Sequence, residues 1–134
     1  MENILGTSWA LWTNLAFLVP LYIALANKLW LHALFITLTT VLSFMYHVYS
    51  GHRFELEDEM AAVALIAVNA VLVVTALTRH NNPQWFIVTV VAICVSLTLL
   101  YIENKFPGTH GFWHIFSAIV TIACQFFFLD KNLW

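Results

Sequence analysis

Five long stretches of apolar residues, separated by short polar segments, run along the chain. Each stretch is about 18 to 21 residues long, the length that an α-helix needs to cross a bilayer core about 30 Å thick. The pattern therefore predicts an all-α fold: an integral membrane helical bundle of about five transmembrane helices, forming a single domain over residues 1–134. The predicted helices cover residues 9–26, 29–49, 58–78, 85–102 and 110–129.

The composition agrees with an integral, multi-pass membrane location. Hydrophobic residues make up 62% of the 134 residues and charged residues 9%, and the mean hydropathy is +0.85. A soluble domain of this size could not cover so much apolar surface. Because no lysine or arginine precedes Lys28, the N-terminus lacks the basic segment of a signal peptide, and the first helix is expected to be retained. A net charge of −2 gives no indication of a nucleic-acid partner.

A pair of histidines, His110 and His114, opens the last predicted helix. Residues four apart on a helix share one face, about 6 Å apart along its axis. Ionisable side chains within a membrane are expensive, which makes such a pair a candidate functional site. Because successive helices alternate in direction, five spans bring the pair to the same membrane face as the polar residues that end the second helix and begin the third, namely Ser43, His47 and Asp58.

The imidazoles of His47, His110 and His114 could bind one Zn²⁺ and leave a fourth position open for water, as catalytic zinc sites do. Zinc lowers the pKa of such a water to about 7 and polarises a substrate carbonyl. A carboxylate must then orient the water and move its proton, and Asp58 is placed for this role. The hydroxyl of Ser43, one turn before His47, could hold the water or the developing oxyanion.

The carboxylate and the hydroxyl also have structural explanations. Asp58 stands between Glu57 and Glu59 at a predicted helix start, where acidic residues interact favourably with the helix dipole. These two glutamates and Glu55 are chemically similar candidates for the catalytic carboxylate. Ser43 could instead donate to a carbonyl of its own helix. The histidines, likewise, could be interfacial residues that bond to loops.

Other polar and small residues in the apolar stretches are predicted to have supporting or structural roles. Ser117, one turn beyond the histidine pair, is a candidate to orient the site. His32, His52 and His80 differ from the pair in depth or lie in loops, and are predicted to be surface or interfacial residues. The buried polar residues expected to link helices are Asn14, Asn69 and Gln125. The small residues expected to let the third helix approach a neighbour are Ala61, Ala62, Ala64, Ala67 and Ala70.

The motif Ser43-x3-His47, then Asp58, then His110-x3-His114 resembles the signature of the CREST superfamily, which includes alkaline ceramidases, progestin/adipoQ receptors and myomaker-like proteins. The resemblance implies a zinc ion held by the three histidines, with Asp58 and Ser43 around the zinc-bound water. Family members have seven helices, so the resemblance implies that this chain is a shortened form, without two helices between the Asp58 helix and the last one. A homodimer would supply the missing walls.

Three functions are compatible with these residues. The first is a ceramidase-like, zinc-dependent hydrolase of lipid metabolism, whose substrate is an amide or ester of a membrane lipid, such as ceramide or another acyl lipid. The second is a receptor-like or scaffold membrane protein that retains the zinc for structure. The third is a small haem protein whose transmembrane histidines are axial ligands.

Overall fold

The computed structural model describes residues 9, 11–49, 55–79, 82–103, 106 and 109–130. In this part of the chain all regular structure is helical, and the prediction of an all-α bundle of five helices is confirmed. The helices are α1 (Leu11–Ala26), α2 (Trp30–Val48), α3 (Glu55–Arg79), α4 (Pro83–Glu103) and α5 (His110–Phe128).

The main difference from the predicted helix bounds is at the start of α3. This helix begins at Glu55, three residues before the predicted start at Asp58. Acidic side chains in a first turn are stabilised by the positive end of the helix dipole, so the acidic segment assigned to a loop forms helix instead. Asp58 consequently lies at the end of the first turn of α3. The other four helices begin and end within two residues of their predicted bounds.

Helix α1 is not regular throughout, because Asn14–Phe17 forms a 3-10 helix within it. Pro20 follows this segment. Proline has no amide hydrogen, and its ring crowds the carbonyl four residues earlier, here that of Ala16. A tighter 3-10 segment at this point is a usual response of a helix to such a constraint.

Three of the helices, α2, α3 and α5, are long and apolar enough to cross a membrane, and α1 and α4 are apolar over shorter described stretches. Large apolar side chains cover the outside of the bundle, as Leu31, Val63 and Val91 illustrate with more than half of their surface exposed. Such a surface suits hydrocarbon rather than water. The structure thus fits a membrane protein.

Helix α5 is at the centre of the bundle. It packs against α1, α3 and α4, while α2 packs against α1 and α3. Within the described part of the chain, the backbones of α3 and α4 do not approach each other closely, and neither do those of α2 and α5. The buried cores contain Phe17, Ile36, Leu65 and Ala118 on one side, and Ala76, Trp85, Ala123 and Phe127 on the other.

A chain of hydrogen bonds crosses the bundle away from the histidine pair. His32 Nε2 and Asn69 Oδ1 are 2.9 Å apart, and Asn69 Nδ2 donates to Thr121 Oγ1 at 3.2 Å. Gln125 Nε2 lies 3.3 Å from His32 Nδ1 and 2.9 Å from the Pro20 carbonyl oxygen, to which it donates. His32 is only 2% exposed, so its predicted surface location is wrong. Its partners come from α3 and α5, and no local sequence pattern indicates them.

Two of the three polar residues predicted to link helices do so, namely Asn69 and Gln125. The third, Asn14, is 1% exposed, and neither its amide nitrogen nor its amide oxygen makes a hydrogen bond to the described residues. An unbonded buried amide carries a desolvation cost that is not recovered. The predicted surface histidines His52 and His80 lie outside the described residues.

The small residues of α3 only partly follow their prediction. Ala61 is buried, and its carbonyl accepts a hydrogen bond of 3.1 Å from the Thr39 hydroxyl, so α2 and α3 approach closely there. Ala67 and Ala70, in contrast, are exposed. Close packing against a neighbouring helix is therefore not the role of every alanine in this helix.

Replacing His32 with leucine should destabilise the bundle, because Asn69 and Gln125 then lose a buried partner. We expect the free energy of unfolding to fall by about 1–2 kcal/mol, as measured by unfolding in micelles. Asn14→Leu is the matched control, since it removes a buried amide without breaking a bond, and should be neutral or stabilising. Equal losses in the two variants would show that packing, rather than hydrogen bonding, is responsible.

Candidate metal centre

Three histidine rings meet where α2 ends and α5 begins. His47 lies in the last turn of α2, His110 is the first residue of α5, and His114 follows one turn later. The ring centroid of His47 is 4.9 Å from that of His110 and 5.3 Å from that of His114, and the last two are 4.4 Å apart. The structure thus brings together the three histidines that the sequence singled out.

The geometry of this cluster suits one metal ion. The candidate ligand nitrogens all lie within 4.8 Å of one another. A tetrahedral zinc ion with Zn–N bonds of about 2.0–2.1 Å requires nitrogens about 3.4 Å apart, which small inward movements of the rings would give. His114 is 1% exposed, and the Nε2 atoms of all three rings are shielded from solvent. The three Nε2 atoms could therefore bind a metal ion at a position that the protein shields from solvent.

A hydroxyl on α1 fixes the orientation of the most buried ring. Thr13 Oγ1 lies 3.1 Å from His114 Nδ1. When Nδ1 donates to this hydroxyl, Nε2 carries the lone pair that a metal needs, and such outer partners set both the tautomer and the direction of ligating histidines. Sequence reasoning did not find Thr13, because a single threonine 101 positions away from its partner leaves no pattern.

Gly111 allows α1 to lie this close to α5. A Cβ atom at position 111 would overlap the Trp9 indole and come within 3.1 Å of Thr13 Cγ2. Trp9 also packs against Phe112, with ring centroids 5.9 Å apart. Because glycine has no Cβ atom, α1 can lie close enough to α5 for the Thr13 hydroxyl to reach His114.

Asp58 and Ser43 lie beside the histidine cluster. The Asp58 carboxylate is half-buried and interacts with the His110 ring and with the Ser43 side chain. Ser43 is 3% exposed, and its Oγ has no hydrogen-bond partner of normal geometry among the described residues. Glu57 and Glu59 are exposed. The structure therefore distinguishes Asp58 from its two acidic neighbours.

Two further residues were candidates from the sequence: Ser117 to orient the site, and Glu55 as the catalytic carboxylate. The Ser117 hydroxyl pairs with that of Ser96 on α4 at 3.3 Å, and its carbonyl accepts from the Thr121 hydroxyl at 2.9 Å. Ser117 thus links α4 to α5 and, in the described contacts, does not orient the histidines. The side chain of Glu55 lies outside the described part of the structure.

Two aromatic rings flank the histidines. Tyr46 lies 5.1 Å from His47, and Trp113 lies 5.9 Å from His110 and 5.7 Å from His114, measured between ring centroids. An apolar surrounding strengthens electrostatic interactions between the groups inside it. The site therefore combines three nitrogen ligands, a carboxylate and a hydroxyl in a poorly solvated environment.

Changes at Thr13 should affect metal affinity without disrupting the fold. Thr13→Val keeps the shape but removes the hydroxyl, and we expect the affinity of the histidine cluster for a divalent metal to fall by about 10–100-fold. Metal titration of the purified protein measures this, and Thr13→Ser is the control that should retain the affinity. An unchanged affinity in Thr13→Val would exclude the orienting role.

Comparison with protein-family models, with curated proteins and with solved structures finds no match to this chain.

Proposed function

We propose that this protein is an integral, multi-pass membrane hydrolase that depends on zinc and cleaves an amide or ester of a membrane lipid. The observation that carries the proposal is the meeting of His47, His110 and His114 beside a carboxylate and a hydroxyl at one end of an apolar bundle. The same five residues give the resemblance to the CREST superfamily of membrane zinc hydrolases. Five crossings of the bilayer would place all of them at one membrane face.

Zinc suits the donor set better than other common divalent metals. Imidazole is a preferred ligand of zinc, whereas magnesium and calcium prefer oxygen ligands. Three protein ligands leave one coordination position open, which is the arrangement of catalytic rather than structural zinc sites. A zinc ion bound there would polarise a carbonyl and make a water molecule nucleophilic near neutral pH.

The remaining residues supply the proton transfer and charge stabilisation that hydrolysis needs. Asp58 takes a proton from the attacking water and returns it to the leaving nitrogen or oxygen, so the acyl bond breaks with protons conserved. Ser43 donates its hydroxyl hydrogen to the carbonyl oxygen as negative charge develops there. The position of Ser43 supports this role, since its buried hydroxyl lies beside the Asp58 carboxylate and the histidine cluster.

A lipid substrate is favoured by the surroundings of the site. A cavity of about 320 Å³ extends from Ser43, Asp58 and His114 into the apolar half of the bundle. All five helices contribute to its lining, and three of them are long and apolar enough to span a membrane. A hydrophobic substrate that is already dissolved in the bilayer, such as ceramide, could reach the site without entering water.

The second candidate is a receptor-like or scaffold membrane protein with a structural zinc ion. The small number of helices favours it, because five helices leave the cavity beside the cluster without a complete protein wall. Axial ligation of a haem is disfavoured. Haem would have to separate its ligands by the thickness of a porphyrin, whereas the histidine rings contact one another at 4.4–5.3 Å between centroids.

Metal analysis tests the zinc assignment. Purified protein should contain about one zinc per chain, and His110→Ala combined with His114→Ala should remove it, because a single remaining imidazole holds zinc weakly. The control is His32→Leu, which alters a buried histidine outside the cluster and should keep the metal per folded chain. Absence of zinc from the wild type, or zinc that persists in the double variant, would exclude the proposed site.

Hydrolysis tests the enzymatic assignment. A panel of ceramides and phospholipids should release fatty acid, and Asp58→Asn should lower the rate by about 10²–10⁴-fold, as loss of a general base does, without loss of zinc. Glu57→Gln and Glu59→Gln are matched controls, because these carboxylates are exposed, and their rates should be near that of the wild type. Zinc without turnover across the panel would favour the structural alternative.

A further inference from the structure

The cavity beside the histidine cluster is a groove between α3 and α4. Both helices pack against α5, but within the described residues their backbones do not approach each other closely. Helix α5 forms the floor of the groove through Ser117, Val120 and Cys124, among others, and the two flanking helices form its walls. The groove is therefore open along one side to whatever surrounds the bundle.

The groove is long and narrow. On α3 its lining extends from Asp58 to Val74, a distance of about 24 Å at the rise of an α-helix. A further transmembrane helix is about 10–12 Å wide, which is too wide to lie inside a groove that holds about 320 Å³ over this length. The space thus fits a thin, extended occupant rather than a helix from a second copy of the chain.

Alanine residues create this space in the α3 wall. Ala62 and Ala70 lie on the groove-lining face, with Ile66 between them. The facing wall on α4 presents Ile93 and Leu97. A larger side chain at either alanine would project into the groove. The surface that remains is almost wholly apolar, so a hydrocarbon chain would be solvated there much as it is in the bilayer.

One end of the groove is polar, and it is the end at the histidine cluster. Ser43, Asp58 and His114 line it there. The Ser43 hydroxyl lies beside the Asp58 carboxylate at this end, and rotation about its Cα–Cβ bond would direct it towards the carbonyl oxygen of a ligand. A channel whose accessible surface is almost wholly apolar, with a carboxylate, a hydroxyl and an imidazole at one end, matches the chemistry of a fatty acyl group.

We infer that the groove between α3 and α4 binds one acyl chain of a bilayer lipid, which enters sideways from the membrane with its carbonyl at Ser43 and its tail along Ala62 and Ala70. This inference deepens the proposed function and rests on it for the role of the carbonyl. Binding of the chain itself requires neither zinc nor hydrolysis. The two ideas can therefore fail separately.

Photolabelling tests the inference. Purified protein in phosphatidylcholine nanodiscs is irradiated with hexadecanoic acid that carries a diazirine in the distal half of its chain, and the labelled residues are mapped by mass spectrometry. We expect adducts at groove residues such as Ile93, Leu97 and Val73. Ala70→Phe should lower this labelling about tenfold or more, because its ring fills the channel. Ala67→Phe is the matched control, since Ala67 is exposed on α3 but does not line the groove.

Each outcome of the labelling is decisive. Groove adducts that Ala70→Phe removes and Ala67→Phe retains support the inference. Adducts spread equally over outward residues such as Val63 and Val91, or unaffected by Ala70→Phe, overturn it in favour of non-specific bilayer lipid. A dimer that Ala70→Phe dissociates also overturns it, because a second copy would then occupy the groove. If Ala70→Phe does not fold, Leu97→Trp blocks the opposite wall and gives the same reading.

A parallel measurement separates the inference from the enzymatic proposal. Labelling should persist in His47→Ala, because this variant removes a zinc ligand but leaves the groove lining intact. Groove labelling without any lipid hydrolysis would support acyl binding and contradict the hydrolase. Hydrolysis without groove labelling would support the hydrolase and contradict the acyl site.

Discussion

The structure depends on polar side chains that bridge two helices whose backbones stay apart. At one end of α2, the His47 ring contacts His110 and His114 of α5. Toward the other end of α2, His32 pairs with Gln125 of α5. In an apolar environment a polar group that lacks a partner is costly, which makes such bridges selective for one arrangement of the helices. The two histidine links thus set the spacing of α2 and α5 at both ends of the bundle.

The candidate metal centre is supported from a third helix as well. Helix α1 reaches the centre because Gly111 lets Trp9 and Thr13 lie against α5, and Thr13 then bonds the ring of His114. The irregular 3-10 segment of α1 directly follows Thr13. The orientation of one candidate ligand therefore depends on a helix that contributes no ligand itself, and distortions of α1 are coupled to the geometry of the site.

The sequence predicted what periodicity and helix parity control: five helices, and the convergence of His110 and His114 with polar groups of α2 and α3. It did not reveal partners that are distant in the chain. Thr13 and His32 bond to residues 101 and 37 positions away, respectively, and their local surroundings resemble ordinary apolar helix. Small residues such as Ala70 were misread for a different reason. A small side chain permits close packing where another helix faces it, as at Ala61, and leaves an open groove where none does, as at Ala70.

Because the groove between α3 and α4 is open along one side, the protein encloses only part of its cavity. In a bilayer or a micelle, the open side would be closed by the surrounding lipid or detergent, so lipid packing, bilayer thickness and detergent choice would affect the shape of the cavity. A ligand that enters through this open side would diffuse within the plane of the membrane. The concentration that governs its binding is then its mole fraction in the membrane rather than its molarity in water. Affinities measured in different detergents would then refer to cavities that differ in the wall formed by the detergent, although the protein chain is the same.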